Sequence, residues 1–455
     1  MSRKPLRIVS PNGHLGFAPT RPDSFRAALK HDLDYLIADS GSCDIGPGPL
    51  GADTCASPRD WQYHDLELML LASREHGIPM LIGSAGDTGS DRSVALFVDM
   101  IKEIARRHDL PEFTIGYFNS EVPVETVRRA VADGTAVSGL DGRPDLTAAV
   151  LDRTQRVVAV AGAAPYISLL DQGADVIIGG RSSDCAVFAA PAIRAGFPEG
   201  LSYYLGKVLE CASFCAEPYA GKESVVGEIT ETHVDVTAMH PDQRCTPASV
   251  ASHSMYERAQ PYYEYVAGGT LEMSDCRYEQ LAEKTTRVTG PRWLPKADVT
   301  VKLEGSGFVG HRFVGFAGVR DEYTIARIDD VMAWARKQVA EQYPDGGYEL
   351  HIHPFGRDAI LKRYEFDTTP AHELGLVIEG VAADRDLARA VTMTATRQVF
   401  YARLPEVKGT AGSVSFLFDE VLEASPAYEW TLNHIIPITA LGDDVFAPRI
   451  LSSRS

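Results

Sequence analysis

Short apolar runs that end in polar, glycine-rich turns dominate the first half of the chain. Each run has the length and composition of a strand buried on both faces, and helical patterns follow most of them. Strands that alternate with helices predict a parallel sheet whose turns meet at the edge where the strands end. The four units are Leu6–Ser10 with Ser10–His14, Tyr35–Ala38 with Asp39–Asp44, Met80–Ile82 with Gly83–Gly89, and Val176–Ile178 with Gly179–Asp184.

Amphipathic helices are predicted between these strands. Ser93–His108 places its apolar side chains on one stripe and ends in two arginines and a histidine, which is typical of a helix C-terminus. The other predicted helices in this half are Asp23–Lys30, Trp61–His76 and Ala186–Ala195, and Arg156–Gly162 is a further predicted strand.

The pattern changes beyond residue 222. Alternating apolar positions in Ser224–Met239 predict antiparallel strands that flank the sheet. We therefore predict an α/β fold with a doubly wound, mainly parallel sheet over 1–289, and a smaller α+β domain over 290–455. Its elements are strands at Val299–Lys302, Phe313–Phe316, Tyr348–Ile352 and Ser413–Phe418, and helices at Ile328–Glu341 and Leu387–Tyr401.

Composition narrows the classes of molecule that the chain is expected to bind. The chain has 455 residues, 45% of them hydrophobic, and a formal net charge of −18. Nucleic acids and anionic membranes need basic patches, so neither is expected as a partner. The sequence has no apolar stretch of roughly 18 to 20 residues and no signal-peptide pattern at its start, which favours a cytoplasmic protein. A small anionic substrate remains compatible, because local basic residues can dominate a cleft.

Several common cofactor and catalytic motifs are missing from the sequence. It contains no phosphate-binding GxxxxGK[ST] loop, no strand-linked GxGxxG, no GxSxG nucleophile turn and no HExxH zinc motif. Its seven cysteines show no zinc spacing. We therefore expect neither a nicotinamide nor a flavin cofactor.

Aspartates in the polar turns are candidate ligands for a divalent metal. Asp39, Asp44, Asp87 and Asp184 each follow a predicted strand end, where oxygen ligands for Mg²⁺ or Mn²⁺ can gather. The alternative is that such residues cap the following helix, which suits Asp184 in particular.

Arg181 is the candidate anchor for an anionic substrate. Its planar, permanently charged side chain suits a carboxylate or phosphate, and it stands just before a predicted helix start. The alternative is a structural ion pair with an aspartate. Other candidate substrate-binding residues in the polar turns are Asn12, Asp39, Ser40, Gly41, Ser84 and Ser182.

Lys207 and Glu210 are three residues apart in a predicted helix and therefore share a face. An exposed ion pair is the common explanation of this spacing. Because apolar residues surround them, a partly buried pair is also possible, and burial would perturb the pKa of either group. Lys207 is then a substrate-binding candidate and Glu210 a candidate acid or base.

The segment His240–His253 has the highest density of reactive side chains. Thr246 before a proline suits a helix N-cap, and Cys245 would lie beside the helix N-terminus, which lowers a thiol pKa. Cys245 and His253 are catalytic candidates, with Arg244 and Thr246 as binding candidates. We expect His253 rather than Cys245 to carry the proton chemistry, because histidine titrates near neutral pH. A purely structural helix is the alternative.

Nine segments of the chain form a recognisable series: Asp39–Pro47, Gly83–Gly86, Gly180–Asp184, Gly206–Cys211, Arg244–His253, Tyr256–Glu257, Lys302–Gly305, Ala317–Asp321 and Gly409–Gly412. In this order, they resemble the acyclic terpene utilisation family AtuA. The resemblance implies a place in the breakdown of branched acids and their acyl-CoA thioesters, often beside a small partner protein. Asp87 and Ser413–Glu420 depart from the family's pattern.

Two functions follow from the sequence. The first is an enzyme that acts on a small carboxylic acid or its acyl-CoA thioester by acid–base elimination, hydration or isomerisation. The second is a non-catalytic ligand-binding or assembly subunit that works with a small partner protein. A homo-oligomer is expected in either case.

Overall fold

The computed structural model describes residues 3–41, 45–405, 414–418 and 420–455. The turn residue Asp44 and the segment Gly409–Gly412 lie outside the described residues. The chain forms two compact units: Met1–Gly307 with Trp430–Ser455, and Phe308–Glu429. The first unit thus extends past the predicted division near residue 290. It also includes the C-terminal 26 residues of the chain (455 − 429).

The strands of the first unit follow the predicted runs only in part. Two strands, β15 (Thr300–Val319) and β19 (Leu422–Pro437), contribute residues to both units. The others are β1 Leu6–Ser10, β2 Tyr35–Gly41, β3 Met80–Asp87, β4 Thr114–Phe118, β5 Ser138–Gly139, β6 Arg156–Val160, β7 Val176–Gly179, β8 Val225–Ile229, β9 Val234–Ala238, β10 Tyr263–Val266, β11 Gly269–Glu272, β12 Arg277–Ala282, β13 Thr285–Thr289, β14 Arg292–Pro295 and β20 Arg449–Ser452. The strands β1, β2, β3, β6, β7, β8 and β9 follow the predicted runs, whereas the other strands of this unit, apart from β15, were not predicted.

The helices of the first unit lie mostly between these strands. The longest, α3 and α4, coincide closely with the helices predicted from the apolar pattern. Their bounds are α1 Pro22–Ala28, α2 Gly48–Ala52, α3 Arg59–His76, α4 Asp91–Arg107, α5 Val124–Ala132, α6 Ala148–Asp152, α7 Ala164–Asp171, α8 Ala186–Arg194, α9 Glu199–Leu209 and α10 Pro247–Ser254.

Within the described ranges, the main sheet has ten strands in the order β12-β13-β9-β8-β1-β2-β3-β7-β4-β20. The neighbours β1-β2, β2-β3, β3-β7 and β7-β4 pair in parallel. The strands β8, β9, β13, β12 and β20 all pair antiparallel. The fold is therefore mixed α/β. The prediction of a mainly parallel sheet is corrected: only the centre is parallel. The pairs β8-β9 and β12-β13 are antiparallel because short turns join them, and β8, β13 and β20 add antiparallel to strands distant in the chain.

Both faces of the parallel centre are covered, as its continuous apolar runs predicted. Every residue of β3 is buried. Consecutive strand residues enter opposite cores, because side chains alternate across a strand. Ile8 and Ile37 pack in one core with α7, α8 and α9, whereas Val9 and Leu36 pack in the other with α3 and α4.

The second unit combines a small antiparallel sheet with helices. Strand β16 (Tyr348–Phe355) pairs with β17 (Leu374–Ala382), and β17 pairs with His311–Val319 of β15. The two separately predicted strands at Val299–Lys302 and Phe313–Phe316 belong to this one strand. The remaining elements are β18 Val414–Phe416, α11 Glu322–Ala326, α12 Ile328–Gln342 and α13 Arg385–Tyr401.

Of the helices that the structure describes, none has both the length and the apolar character that crossing a bilayer requires.

Candidate active site

The four polar turns meet at one edge of the sheet, as predicted. Leu15, after β1, donates its backbone N–H to the carbonyl of Asp39, near the end of β2, at 2.8 Å. Ser84, in the second half of β3, donates its hydroxyl to the Ser182 carbonyl after β7 at 3.2 Å. Gly41 is required here, because a Cβ would lie 2.2 Å from the Ser84 Cβ. The carboxyl ends of the parallel strands therefore form one continuous polar floor.

Arg181 lies in this floor, and carboxylates already pair with it. Its Nε donates to Glu304 Oε2 at 2.9 Å, and its Nη1 donates to Asp184 Oδ1 at 3.0 Å and Ser84 Oγ at 3.1 Å. The side chains of Arg181 and Glu304 are 7% and 6% exposed. Of the two alternatives for Arg181, the structure displays the ion pair.

Asp39 is a buried carboxyl group beside this ion pair. Its Oδ2 accepts from the Gly41 N–H at 2.9 Å, while Oδ1 is buried with no partner among the described residues. Burial raises the pKa of Asp39 well above its usual value, and the nearby Asp184 raises it further, against the lowering effect of Arg181. This environment favours the protonated form of Asp39 and so disfavours it as a metal ligand.

The other metal candidates do not join Asp39 in a cluster. Asp87 accepts from Ser57 Oγ at 2.8 Å and lies 3.1 Å from His14 Nε2. Burial works to raise the Asp87 pKa, but these hydrogen bonds lower it overall. Asp184 is partly exposed beside Arg181. The described residues contain no group of three or more histidine, cysteine or acidic side chains placed to hold a metal.

Three further turn residues make polar contacts with neighbouring residues of the polar floor. Asn12 Nδ2 donates to Asp65 Oδ2 at 2.7 Å and leaves Oδ1 buried without a described partner. Ser40 Oγ contacts the Leu15 carbonyl at 3.4 Å, and Ser182 Oγ lies 2.7 Å from Tyr166 Oη.

Lys207 and Glu210 form a buried ion pair, so the exposed-pair alternative is wrong. Helix α9 ends at Leu209 with Glu210 as its C-cap, and the two side chains, 5% and 6% exposed, contact each other directly. Burial raises the pKa of Glu210 to about 8, with Asp184 and Glu264 adding to the effect and Lys207 opposing it. Glu210 is therefore poised to exchange a proton near neutral pH.

His253 is connected to the same ion pair by the aromatic ring of Tyr256, which contacts both His253 and Lys207. Its imidazole stacks on Tyr256 with 4.9 Å between ring centroids, and Lys207 Nζ lies 4.8 Å from the Tyr256 ring centroid. His253 Nε2 is buried and has no described partner. We call Lys207, Glu210, His253, Tyr256 and Glu264 the Glu210 cluster.

The expectation that His253 titrates near neutral pH is corrected by this environment. Burial, with smaller contributions from Lys207 and Arg258, lowers the pKa of His253 to about 3. The imidazole is therefore neutral at pH 7. A neutral imidazole remains a hydrogen-bonding group but is a weak proton acceptor, which leaves Glu210 as the stronger candidate for proton transfer.

The remaining candidates of this segment lie outside the Glu210 cluster. Cys245 is buried with its Sγ 3.9 Å from Cys215 Sγ. Arg244 is largely exposed and forms a surface ion pair with Glu217 at 3.6 Å. Thr246 caps α10 as predicted, in a capping box with Ser249.

Sequence reasoning missed three residues of this region. Glu304 was noticed only inside a matching segment, and its pairing with Arg181 joins positions 123 residues apart, for which no local pattern exists. Glu264 contributes to the raised pKa of Glu210. Lys222 has a left-handed backbone, with φ of 65°, and its Nζ donates to the His14 carbonyl. The adjacent glycine was the only sequence signal for Lys222.

Replacement of His253 by glutamine should remove part of the acid sensitivity of the fold. The pKa of His253 is lowered from 6.5 to about 3, so its contribution to stability is full above pH 6.5 and is lost as pH falls. Between pH 8 and pH 5 this residue should cost the wild type about 2 kcal/mol of unfolding free energy. Urea unfolding at both pH values measures the loss. An equal loss in His253→Gln, or a similar effect of the exposed control His31→Gln, would contradict this assignment.

Thr246→Ala should lower the unfolding free energy by about 1 kcal/mol, because the first turn of α10 loses its side-chain acceptor. Thr147→Ala is the matched control, since Thr147 is the N-cap of α6 without a side-chain cap bond. Urea unfolding of both variants tests the difference, and equal losses would show that the capping box contributes nothing.

Comparison with known proteins accounts for most of the chain. The family model described as acyclic terpene utilisation family protein AtuA matches residues 6–431. The chain belongs to this family. The match includes the polar floor and the Glu210 cluster, which confirms the resemblance noted in the sequence. Neither the curated proteins nor the solved structures gave a match.

Proposed function

We propose that this protein is an enzyme that moves a proton at the carbon next to the carbonyl of a small carboxylic acid or its acyl-CoA thioester. Elimination, hydration or isomerisation completes the reaction. The observation that carries the proposal is the buried Glu210, whose raised pKa of about 8 suits proton exchange near neutrality. The proposal takes the first unit as a doubly wound fold, in which ligands bind beyond the carboxyl ends of the strands.

The chemical step assigns the proton to Glu210. As a carboxylate, Glu210 removes the proton, and the electron pair of the broken C–H bond forms an enolate. The proton on Glu210 then returns to another carbon in an isomerisation, or joins a departing hydroxide, which leaves as water in an elimination. Hydration is the reverse of that elimination. Lys207 contacts Glu210 and stabilises its charged form in the low-dielectric interior.

His253 is the candidate partner for the enolate oxygen. Its Nε2 is the buried polar atom of the cluster without a partner among the described residues. As a neutral imidazole with Nε2 protonated, it would donate a hydrogen bond to the developing negative charge without transferring its own proton.

Family membership sets the biological context of the proposal. The family is named for acyclic terpene utilisation, which suggests that the substrate arises in the breakdown of branched, apolar acids. We propose a cytoplasmic homo-oligomer in this role.

A non-catalytic subunit that works with a small partner protein is the second candidate. Two tyrosines of the first unit favour it, because Tyr219 is 71% exposed and Tyr265 is 74% exposed. Exposed aromatic side chains are enriched at protein interfaces. This function predicts ligand binding without turnover.

Proton exchange in deuterated water separates the two functions. A panel of short free acids and their CoA thioesters would be incubated with the protein in D₂O and followed by proton NMR. The enzyme function predicts loss of the signal of the proton next to the carbonyl for at least one substrate class. Binding of the panel without exchange or turnover would favour the non-catalytic subunit. Native mass spectrometry of freshly purified protein would identify any acid that co-purifies.

A further inference from the structure

The basic residues around the candidate site differ in whether a carboxylate pairs with them. Arg181 pairs with Glu304, Lys207 lies 3.9 Å from the Glu264 carboxylate besides contacting Glu210, and Arg258 pairs with Glu264. A cation that is already neutralised in this way gains little from binding a substrate anion. Arg181, the anchor expected from the sequence, is therefore poorly suited to that role.

Lys222 differs from these cations. It makes no ion pair with a described residue, and the partner described for its Nζ is the uncharged carbonyl of His14. Two of the three ammonium N–H bonds thus lack a partner in the described part of the chain. The carboxylate of Asp65 acts on the Lys222 charge without forming an ion pair with it, and its oxygens accept from Asn12, Gly16 and Thr20.

Burial without a carboxylate makes the charge of Lys222 costly. The pKa of Lys222 falls to about 8, mainly through burial, with Asp65 and Cys211 opposing the shift. An anion bound beside Nζ would supply the missing counter-charge. Its free energy of binding would include relief of this unfavourable charge burial.

Lys222 and the Glu210 cluster share a neighbour. The turn that holds the His14 carbonyl packs directly on Cys211, since a Cβ at Gly13 would lie 2.7 Å from the Cys211 carbonyl carbon. Cys211 follows Glu210 in the chain, and its Sγ lies 3.0 Å from Tyr256 Oη. One residue therefore links the unpaired cation to the proposed proton-transfer group.

One exposed aromatic ring contacts Lys222, and another contacts His253 of the Glu210 cluster. Lys222 Nζ is 5.5 Å from the centroid of Phe17, which is 59% exposed. Phe214, 46% exposed, contacts the rings of Tyr219 at 5.4 Å and His253 at 6.5 Å. Such rings give an apolar surface to a ligand whose charged end is held at Lys222.

We propose that Lys222 binds the anionic group of the ligand, and that this ligand is a carboxylate or phosphate with an apolar chain lying along Phe17 and Phe214. The role of the ligand as substrate rests on the proposed function, whereas the binding of the anion does not.

Site-resolved NMR tests the binding directly. Lysines carrying [¹³C]methyl groups keep their charge, and the Lys222 signal is assigned by its loss in Lys222→Arg. The probes are hexanoate, hexyl phosphate and uncharged hexanol. We expect hexanoate or hexyl phosphate to shift the Lys222 signal saturably, and hexanol to leave it unchanged. The stronger of the two anions identifies the charged group. A Lys222 signal that neither anion shifts would overturn the proposal.

Affinity measurements on variants provide the second test. Lys222→Met should weaken binding of the preferred anion at least tenfold by calorimetry, and Lys222→Arg should retain most of it. The matched control is Lys284→Met, because Lys284 Nζ likewise donates to backbone carbonyls, those of His240 and Pro241. Unchanged affinity in folded Lys222→Met would overturn the proposal. The NMR titration is made on wild-type protein and needs only Lys222→Arg for assignment, so it decides the matter even where Lys222→Met does not fold.

These tests are independent of turnover. Glu210→Gln should still show the anion-dependent shift of Lys222. Anion binding at Lys222 in a protein without proton exchange would refute the proposed function alone, whereas exchange without a Lys222 response would refute this inference alone.

Discussion

Glu210→Gln should reduce proton exchange and turnover by about 100-fold or more, while the protein remains folded. Glutamine has nearly the same shape and can still accept a hydrogen bond from Lys207, but it cannot carry the proton. The decrease should fall on kcat, because the lost group acts in the transition state rather than in ground-state binding. Exchange in D₂O and steady-state kinetics with the best substrate of the panel measure it.

The control for this variant is a glutamate in an ordinary surface pair. Glu341 pairs with Lys337 at 3.7 Å in α12, and both side chains are exposed. Glu341→Gln should leave exchange unchanged. Full activity in Glu210→Gln, with an intact fold by circular dichroism, would remove Glu210 from the mechanism.

Glu304→Gln should lower the free energy of unfolding by about 3–5 kcal/mol, because it leaves the Arg181 guanidinium buried without its main counter-charge. Arg181 lowers the pKa of Glu304 to about 2 against the effect of burial, so the pair is fully charged at neutral pH. Urea unfolding at pH 7 measures the loss. The stabilisation should disappear in the wild type as pH falls from about 4.5 towards 2, because the folded-state pKa lies below the ordinary value.

An exposed pair provides the comparison for this loss. Arg194 contacts Asp171 at 2.7 Å, and both side chains are largely exposed. Arg194→Met should change the unfolding free energy by less than about 1 kcal/mol. The double variant Arg181→Met/Glu304→Leu should be more stable than Glu304→Gln, since it leaves no buried charge. Equal, small effects of Glu304→Gln and Arg194→Met would contradict a structural role for the buried pair.

Local sequence patterns predicted the fold correctly where the strands and helices are continuously buried. Strand β1 has the predicted bounds, and α3 differs from its prediction only in beginning two residues earlier. Both elements were predictable because apolar runs and glycine turns are properties of neighbouring residues. The pattern failed in β15, which continues between the two predicted strands. Glycines, a serine and a histidine interrupt the apolar pattern of this strand, so its length depends on pairing with strands distant in sequence.

The candidate site was predictable only in part. Apolar neighbours of Lys207 and Glu210 in the chain indicated their burial correctly. The neutral state of His253 was not predictable, since its pKa depends on burial and on Lys207 and Arg258. The charged, planar side chain of Arg181 suggested that it anchors an anion. Its partner Glu304 belongs to a strand in the other half of the chain, so the sequence around Arg181 did not indicate the pairing.

An infrared titration of the Glu210 carboxyl group tests the central claim most directly. Protein with ¹³C-labelled glutamate would be titrated from pH 5 to 10, and the difference between wild type and Glu210→Gln isolates the carbonyl band of the protonated group. A pKa of about 8 predicts that this band persists at pH 7 and disappears with a midpoint near pH 8. A carboxylate already ionised at pH 5, as for an ordinary glutamate, would contradict the assignment of Glu210 as the proton-transfer group.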